Sequence, residues 1–146
     1  MTAMTATLAA EDVLIIGAGP AGITSAYYLA QAGIPYKVID RAEVVGSTWA
    51  NLYPSLQLNT SRYFSHLPDT PFPRSYGMYA TGKQYYAHLA QFVQDHRFNI
   101  ELGVEVTRVV PEGNLWRVEM NTGTFYYKAV ITATGIYGCP VMPDIP

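Results

Sequence analysis

Val13-Leu14-Ile15-Ile16-Gly17-Ala18-Gly19-Pro20-Ala21-Gly22 is the stretch that decides the fold. An apolar run that ends directly on glycine is what a central parallel strand needs, because both faces of such a strand are buried. The glycines then make a tight turn. Ile23 to Ala32 follows as a helix, with Ile23, Ala26, Tyr27 and Ala30 at helical spacing on one side. Gly33 stops it and Pro35 comes two residues later. Tyr36 to Ile39 is a second apolar run. Strand, turn, helix and strand in so short a span form a βαβ unit, whose two strands lie parallel.

The spacing Gly17-x-Gly19-x-x-Gly22 falls where a phosphate-binding turn belongs, after a strand and at the mouth of a helix. Gly17 permits the tight turn. Gly19 lacks a side chain, so the backbone can approach a pyrophosphate. Gly22 lets helix and strand pack closely. The helix start offers N–H groups and partial positive charge to the phosphates. Pro20 costs nothing there, since a first-turn N–H has no helical partner. Asp40 ends the second strand, where a carboxylate can accept hydrogen bonds from ribose hydroxyls and would repel a 2′-phosphate. This motif alone leaves FAD and NAD both open.

Beyond Asp40 the chain changes character. From Arg41 to Ala80 no period holds for long, and Gly46, Pro54, Pro68, Pro71, Pro73 and Gly77 punctuate it. A loop of that length in a compact domain is usually functional. Thr81-Gly82-Lys83-Gln84 has the capping-box pattern, and the helix it opens carries Tyr85, Leu89, Phe92 and Val93 on one face to about His96. Asn99 to Leu102 is a short strand. Val104 to Val110, Leu115 to Met120 and Thr124 to Tyr127 predict a three-stranded antiparallel meander, with Pro111–Asn114 and Asn121–Gly123 as turns. Ala129 to Ala133 is another buried-strand run. The expectation is an α/β chain: a Rossmann-type domain with a parallel sheet and a β-meander, spanning residues 11–139 between a loose tail at 1–10 and a proline-rich linker at 140–146.

Composition narrows the class. The 146 residues suit one domain, and 49% hydrophobic against 14% charged residues argue against disorder. A net charge of −2 gives no electrostatic reason to expect nucleic acid or an anionic membrane as partner. Residues 1–10 lack the basic and apolar regions of a signal peptide, and the apolar runs fall far short of the ~20 residues of a membrane span. A cytoplasmic protein is expected. Cys139 is the only cysteine, so no intramolecular disulfide and no Cys/His metal spacing is available. His66, His88 and His96 are isolated, with solvent or capping roles expected. The aromatic residues between Trp49 and Tyr86 read either as a loop packing on the domain or as the lining for a flat cofactor.

Several segments together resemble the N-terminal part of flavin-containing monooxygenases and their Baeyer–Villiger relatives: Gly17–Gly22, Asp40-Arg41, Gly46-Ser47-Thr48-Trp49, Leu58-Asn59-Thr60-Ser61, Pro68–Pro73 and Ala133-Thr134-Gly135. The resemblance implies FAD at the first glycine motif and NADPH at a second one in another domain. It implies that Gly17, Gly19, Pro20, Ala21 and Gly22 hold the FAD pyrophosphate and that Asp40, with Arg41 beside it, holds the ribose. Thr48 and Trp49 would lie beside the flavin, Val106 would meet the adenine, and Thr134 and Gly135 would pass the flavin. Asn59, with Thr60 next to it, matches a family asparagine that lies against flavin and nicotinamide ribose. It is therefore the residue singled out for chemistry. Baeyer–Villiger members generally carry aspartate there, so Asn59 leans toward heteroatom oxygenation. Ser47 departs from the family's glycine pair.

The function so implied is oxygenation of soft nitrogen or sulfur centres, or of ketones, through a C4a-hydroperoxyflavin. It uses NADPH, O2 and a small-molecule substrate. No second G-x-G-x-x-G is present, so the fold is expected to be incomplete relative to the two-dinucleotide-domain family. The NADPH site would come from a missing C-terminal half or a partner chain. The alternatives are a thioredoxin-reductase-like flavin oxidoreductase and a non-catalytic FAD-binding module.

Overall fold

A computed structural model describes residues 11–136 and Pro143; the expected tail at 1–10, Cys139, and all of 140–146 except Pro143 lie outside the described residues. The elements are β1 (Glu11–Ile16), α1 (Pro20–Gln31), β2 (Tyr36–Asp40), α2 (Ser47–Ala50), a 3-10 turn (Arg74–Tyr76), α3 (Gly82–His96), β3 (Ile100–Leu102), β4 (Val106–Glu112), β5 (Leu115–Met120) and β6 (Gly123–Thr132). The strands form one six-stranded sheet in the order β3-β2-β1-β6-β5-β4.

β1 is central and parallel to both neighbours, with Ile15 opposite Val38 of β2 and Ile131 of β6. β3 continues the parallel half beside β2, while β4, β5 and the start of β6 are antiparallel. The expected α/β class, parallel sheet and meander are all present. Several boundaries differ. β4 runs Val106–Glu112 rather than Val104 to Val110, so Pro111 and Glu112, expected in the turn, belong to the strand. Thr124–Tyr127 and Ala129–Ala133, read as separate strands, belong to the single ten-residue β6. Tyr127 stands opposite Trp116 on the antiparallel side and Glu11 on the parallel side. Lys128, the polar residue between the two runs, pairs with Asp12 at the surface. An outward charge is no interruption to a strand whose side chains alternate.

Packing explains the unbroken apolar run of β1. Val13, Ile15 and Val38 pack with Ile23, Ala26 and Tyr27 of α1 and with Leu89 and Phe92 of α3. On the opposite face Leu14 and Ile39 are closed over by Val104, Val118 and Tyr127 of the meander region. Leu14 and Ile15 therefore both have no exposure, which an alternating strand could not offer. α1 begins at Pro20 rather than Ile23. Ala30, expected on its inner side, is exposed, and Leu29 packs against the core instead.

α3 starts as its sequence predicts. The Gln84 amide donates to Thr81 Oγ1 at 3.2 Å and the Thr81 amide donates to Gln84 Oε1 at 2.8 Å, closing both halves of the capping box. Its inner face includes one residue that pattern reading left outside. His88 is buried, with Nε2 at 2.9 Å from the Thr70 carbonyl oxygen. Burial pulls its pKa below 6.5, opposed by the Thr70 hydrogen bond and assisted by His66.

The long irregular segment is fastened at named points. Arg62 donates through its guanidinium to the Phe72 carbonyl at 2.7 Å and the Arg74 carbonyl at 3.1 Å. The Tyr27 hydroxyl donates to Asp69 Oδ2 at 2.7 Å, holding a residue whose φ of 52° lies in the left-handed region. Leu58 N–H bonds to the Ala80 carbonyl at 2.9 Å and Arg62 N–H to the Met78 carbonyl at 2.7 Å. The segment thus folds back along itself and ends at the α3 cap.

Candidate functional site

β1 is followed by β2 on one side and has β6 on its other side, so the carboxyl ends of β1 and β6 bound a crevice at a switch in chain direction. Open α/β sheets bind ligands there. A cleft of about 1050 Å3 occupies that position. Gly17, Gly19, Pro20 and Ala21 line it from the glycine turn. Asp40 and Arg41 line it from the end of β2 and the residue after it, Thr48 and Trp49 from α2, Val106 from the start of β4, and Thr134 and Gly135 from the stretch that follows β6.

The glycine turn is held from several directions. Gly17 N–H donates to the Ile39 carbonyl at 2.7 Å, Ala133 N–H to the Ile16 carbonyl at 2.8 Å, and Gly46 N–H to the Ala18 carbonyl at 2.9 Å. Ala18 N–H donates to Asp40 Oδ2 at 2.7 Å, and Ala42 N–H to Asp40 Oδ1 at 2.9 Å. Asp40 thus binds the turn to β2 as well as facing the cleft. An ionised carboxylate has about four acceptor sites, so these bonds leave acceptor capacity for a ligand hydroxyl.

The three motif glycines answer to different constraints. Gly17 has φ of 113°, and a Cβ there would strike the Ala133 carbonyl oxygen. A Cβ on Gly22 would strike the Gly17 carbonyl oxygen. Those two glycines are demanded by the protein's own packing. Gly19 is not: its φ and ψ of −82° and −176° suit any residue, and nothing lies within 4 Å of the place a Cβ would take. The space beside Gly19 opens into the cleft. Ile23 N–H makes a helical bond back to the Gly19 carbonyl at 2.9 Å, so Ala21 and Gly22 come before the helical ladder. α1 has neither a side-chain cap nor an acidic residue in its first turn, leaving its positive end for something else.

Some expected residues stand elsewhere. Gly22 lies beneath the turn, packed against it and outside the cleft lining. Asn59 and Thr60 are exposed and do not line the cleft; they follow Leu58, whose side chain packs against a buried group of Phe72, Ala80 and Tyr85. Leu52 and Leu56 line the cleft next to Trp49 and were not anticipated. Their helical spacing in a non-helical stretch gave no periodic signal. Val104 and Glu105 also line it, immediately before Val106. Gly46 and Ser47 contribute from the motif that carries Trp49.

Among the described residues, no group of three or more His, Cys, Asp or Glu side chains could hold a metal ion. No described helix is long and apolar enough to cross a membrane.

Comparison with known proteins agrees with this geometry. The profile of the pyridine nucleotide-disulphide oxidoreductase family matches residues 14–146. A CzcO-like oxidoreductase of Geobacillus kaustophilus is 33% identical over 132 residues, covering 90% of this chain and 38% of that protein. A flavin monooxygenase from Stenotrophomonas maltophilia, solved as a Q193R H194T mutant, superposes with a TM-score of 0.84 at 32% identity, covering 92% of this chain and 41% of the other. The structure of OTEMO in complex with FAD and NADP superposes with a TM-score of 0.76 at 25% identity, covering 93% of this chain and 27% of the other. The chain therefore spans well under half the length of these relatives.

Proposed function

The chain belongs to the pyridine nucleotide-disulphide oxidoreductase family, among its flavin-containing and Baeyer–Villiger monooxygenases, and from that premise we propose that its cleft binds FAD and serves oxygenation of a small molecule. The observation that carries the proposal is Gly19 itself, a glycine on the cleft wall that neither backbone conformation nor the protein's own packing requires. Backbone amides at the start of α1 would hold the pyrophosphate there, and the Asp40 carboxylate would accept from the ribose. Of the residues lining the cleft, Arg41 and Val106 are assigned to the adenosine end and Thr48, Trp49, Thr134 and Gly135 to the ring end.

FAD so bound would take reducing equivalents from NADPH and deliver them to O2, supplying the oxidant for a soft nitrogen or sulfur centre, or a ketone. The protein's part is positioning and the exclusion of water. Trp49, Leu52 and Leu56 provide apolar wall at the ring end. Asn59 is assigned an amide hydrogen bond near the reacting edge of the ring. That assignment rests on the likeness alone, since Asn59 lies outside the cleft lining. The NADPH site is assigned to sequence corresponding to the rest of the longer relatives, in the same polypeptide or in a partner chain.

Reconstitution with FAD followed by gel filtration tests the reading. A yellow protein supports it, and a colourless one sinks it. Adding NADPH to the yellow protein separates an active oxidoreductase, which consumes it, from a binding module, which does not.

A further inference from the structure

The cleft has two ends, and they rest on different cores. The phosphate end rests on the sheet and α1, through Ile15, Ala18 and Ile23. The ring end rests on a separate buried group of Phe72, Ala80 and Tyr85, against which Trp49, Leu58 and Tyr76 pack. Trp49 is the aromatic residue in the cleft wall, and its ring lies 4.2 Å from that of Tyr85, tilted by 41°. Tyr85 in turn meets Phe72 edge-on, with centroids 6.1 Å apart. Phe72 is held from behind by His88 at 4.7 Å, one helical turn along α3 from Tyr85.

α2 is only four residues long and has no side-chain cap. So short a helix cannot fix the orientation of its own indole. Its position relative to α3 is set at Gly46, where a Cβ would meet Leu89 Cδ2 at 2.6 Å, and at the Trp49–Tyr85 ring contact. Among the described residues the Tyr85 hydroxyl makes no hydrogen bond, so the ring and not the hydroxyl supplies the contact.

We propose that Tyr85 is a positioning residue: its ring sets the plane of Trp49 at the flavin end of the cleft, independently of the phosphate end. The inference deepens the FAD reading and rests on it for the identity of the ligand, while the Tyr85–Trp49 relation can be measured without any ligand. A residue that locks the rotamer of a site residue acts by preorganisation, so its loss affects how the ring is seated more than whether the nucleotide binds. Aromatic pairs of this kind add attraction beyond area burial, which favours one rotamer over others.

The test uses the whole chain carrying Trp116→Phe, which leaves Trp49 as the single indole, since the sequence has 2 tryptophans. Near-UV circular dichroism then reports how rigidly Trp49 is held, and flavin fluorescence on FAD titration reports its proximity to the ring. Tyr85→Phe is expected to leave both signals unchanged. Tyr85→Leu is expected to abolish the Trp49 dichroism at unchanged far-UV signal and FAD affinity, and to leave bound flavin brighter. Retained dichroism and quenching in Tyr85→Leu would overturn the proposal, and so would their loss in Tyr85→Phe. If the leucine variant does not fold, Tyr85→Met carries the same test. Failure of both to fold would make Tyr85 a general packing residue and end the proposal. Should the parent chain not bind FAD, the flavin reading fails while the Trp49 dichroism still decides on Tyr85.

Discussion

The Asp40 carboxylate receives the Ala18 amide at 2.7 Å, so the last residue of β2 holds the middle of the glycine turn that follows β1. The other oxygen receives the Ala42 amide at 2.9 Å. A residue expected only to greet a ribose therefore also shapes the turn that greets the phosphates. Asp40→Ala removes both bonds, and hydrogen bonds to an ionised group contribute roughly 1.5–3 kcal/mol each. The expected outcome is a loss of several kcal/mol of unfolding free energy, read as a lower denaturation midpoint, together with weakened FAD binding. Chemical denaturation and flavin titration measure the two; an unchanged midpoint would contradict the structural half.

Gly22→Ala is expected to fail for a reason unrelated to ligand. The added Cβ would run into the Gly17 carbonyl oxygen, a backbone atom that cannot move without dragging the end of β1. Overpacking of this kind typically costs about 1–3 kcal/mol or more. A drop in melting temperature in the absence of FAD checks it.

Thr81→Ala removes one half of the capping box on α3 and leaves the Gln84 amide without its side-chain acceptor. The loss is expected to be about 1 kcal/mol. It is measured as a shifted urea midpoint at constant m-value.

His88 makes stability depend on pH. Its folded pKa lies below 6.5, because burial disfavours the charged ring, so the unfolded chain binds the proton more readily. The contribution is complete above pH 6.5 and is lost as the pH falls through the folded value. His88→Gln keeps a side-chain amide to donate to the Thr70 carbonyl but cannot titrate. The melting temperature of the parent is expected to fall more steeply than that of the variant below pH 6.5. Parallel curves would contradict the assignment.

How much of this was legible depends on where a residue's partners sit in the chain. The βαβ unit, its glycine turn, Asp40 and the Thr81 cap were readable because each is a local pattern with one physical solution. The fusion of two runs into β6 was not, because Lys128 looks like an interruption until Asp12 is seen beside it. His88 was misplaced for a related reason: it stands at the edge of the apolar stripe, a turn from Tyr85 and from Phe92, and Thr70 and Phe72, which bury it, are brought back by the irregular loop. Leu52, Leu56 and the Trp49–Tyr85 pair belong to the same class. Their roles come from how the Arg41–Ala80 segment folds back on itself, for which the sequence offers no period. Asn59 was named by likeness, and the geometry places it on the surface of that segment, away from the cleft wall.

The most direct test of the account is FAD titration of Gly19→Val beside the parent chain, followed by visible absorbance after gel filtration. Nothing lies within 4 Å of the new Cβ and the backbone there is extended, so the variant is expected to melt with the parent and keep its far-UV spectrum. It is also expected to emerge colourless where the parent emerges yellow. A folded Gly19→Val chain that retains FAD as the parent does would contradict the assignment of the glycine turn as a pyrophosphate site.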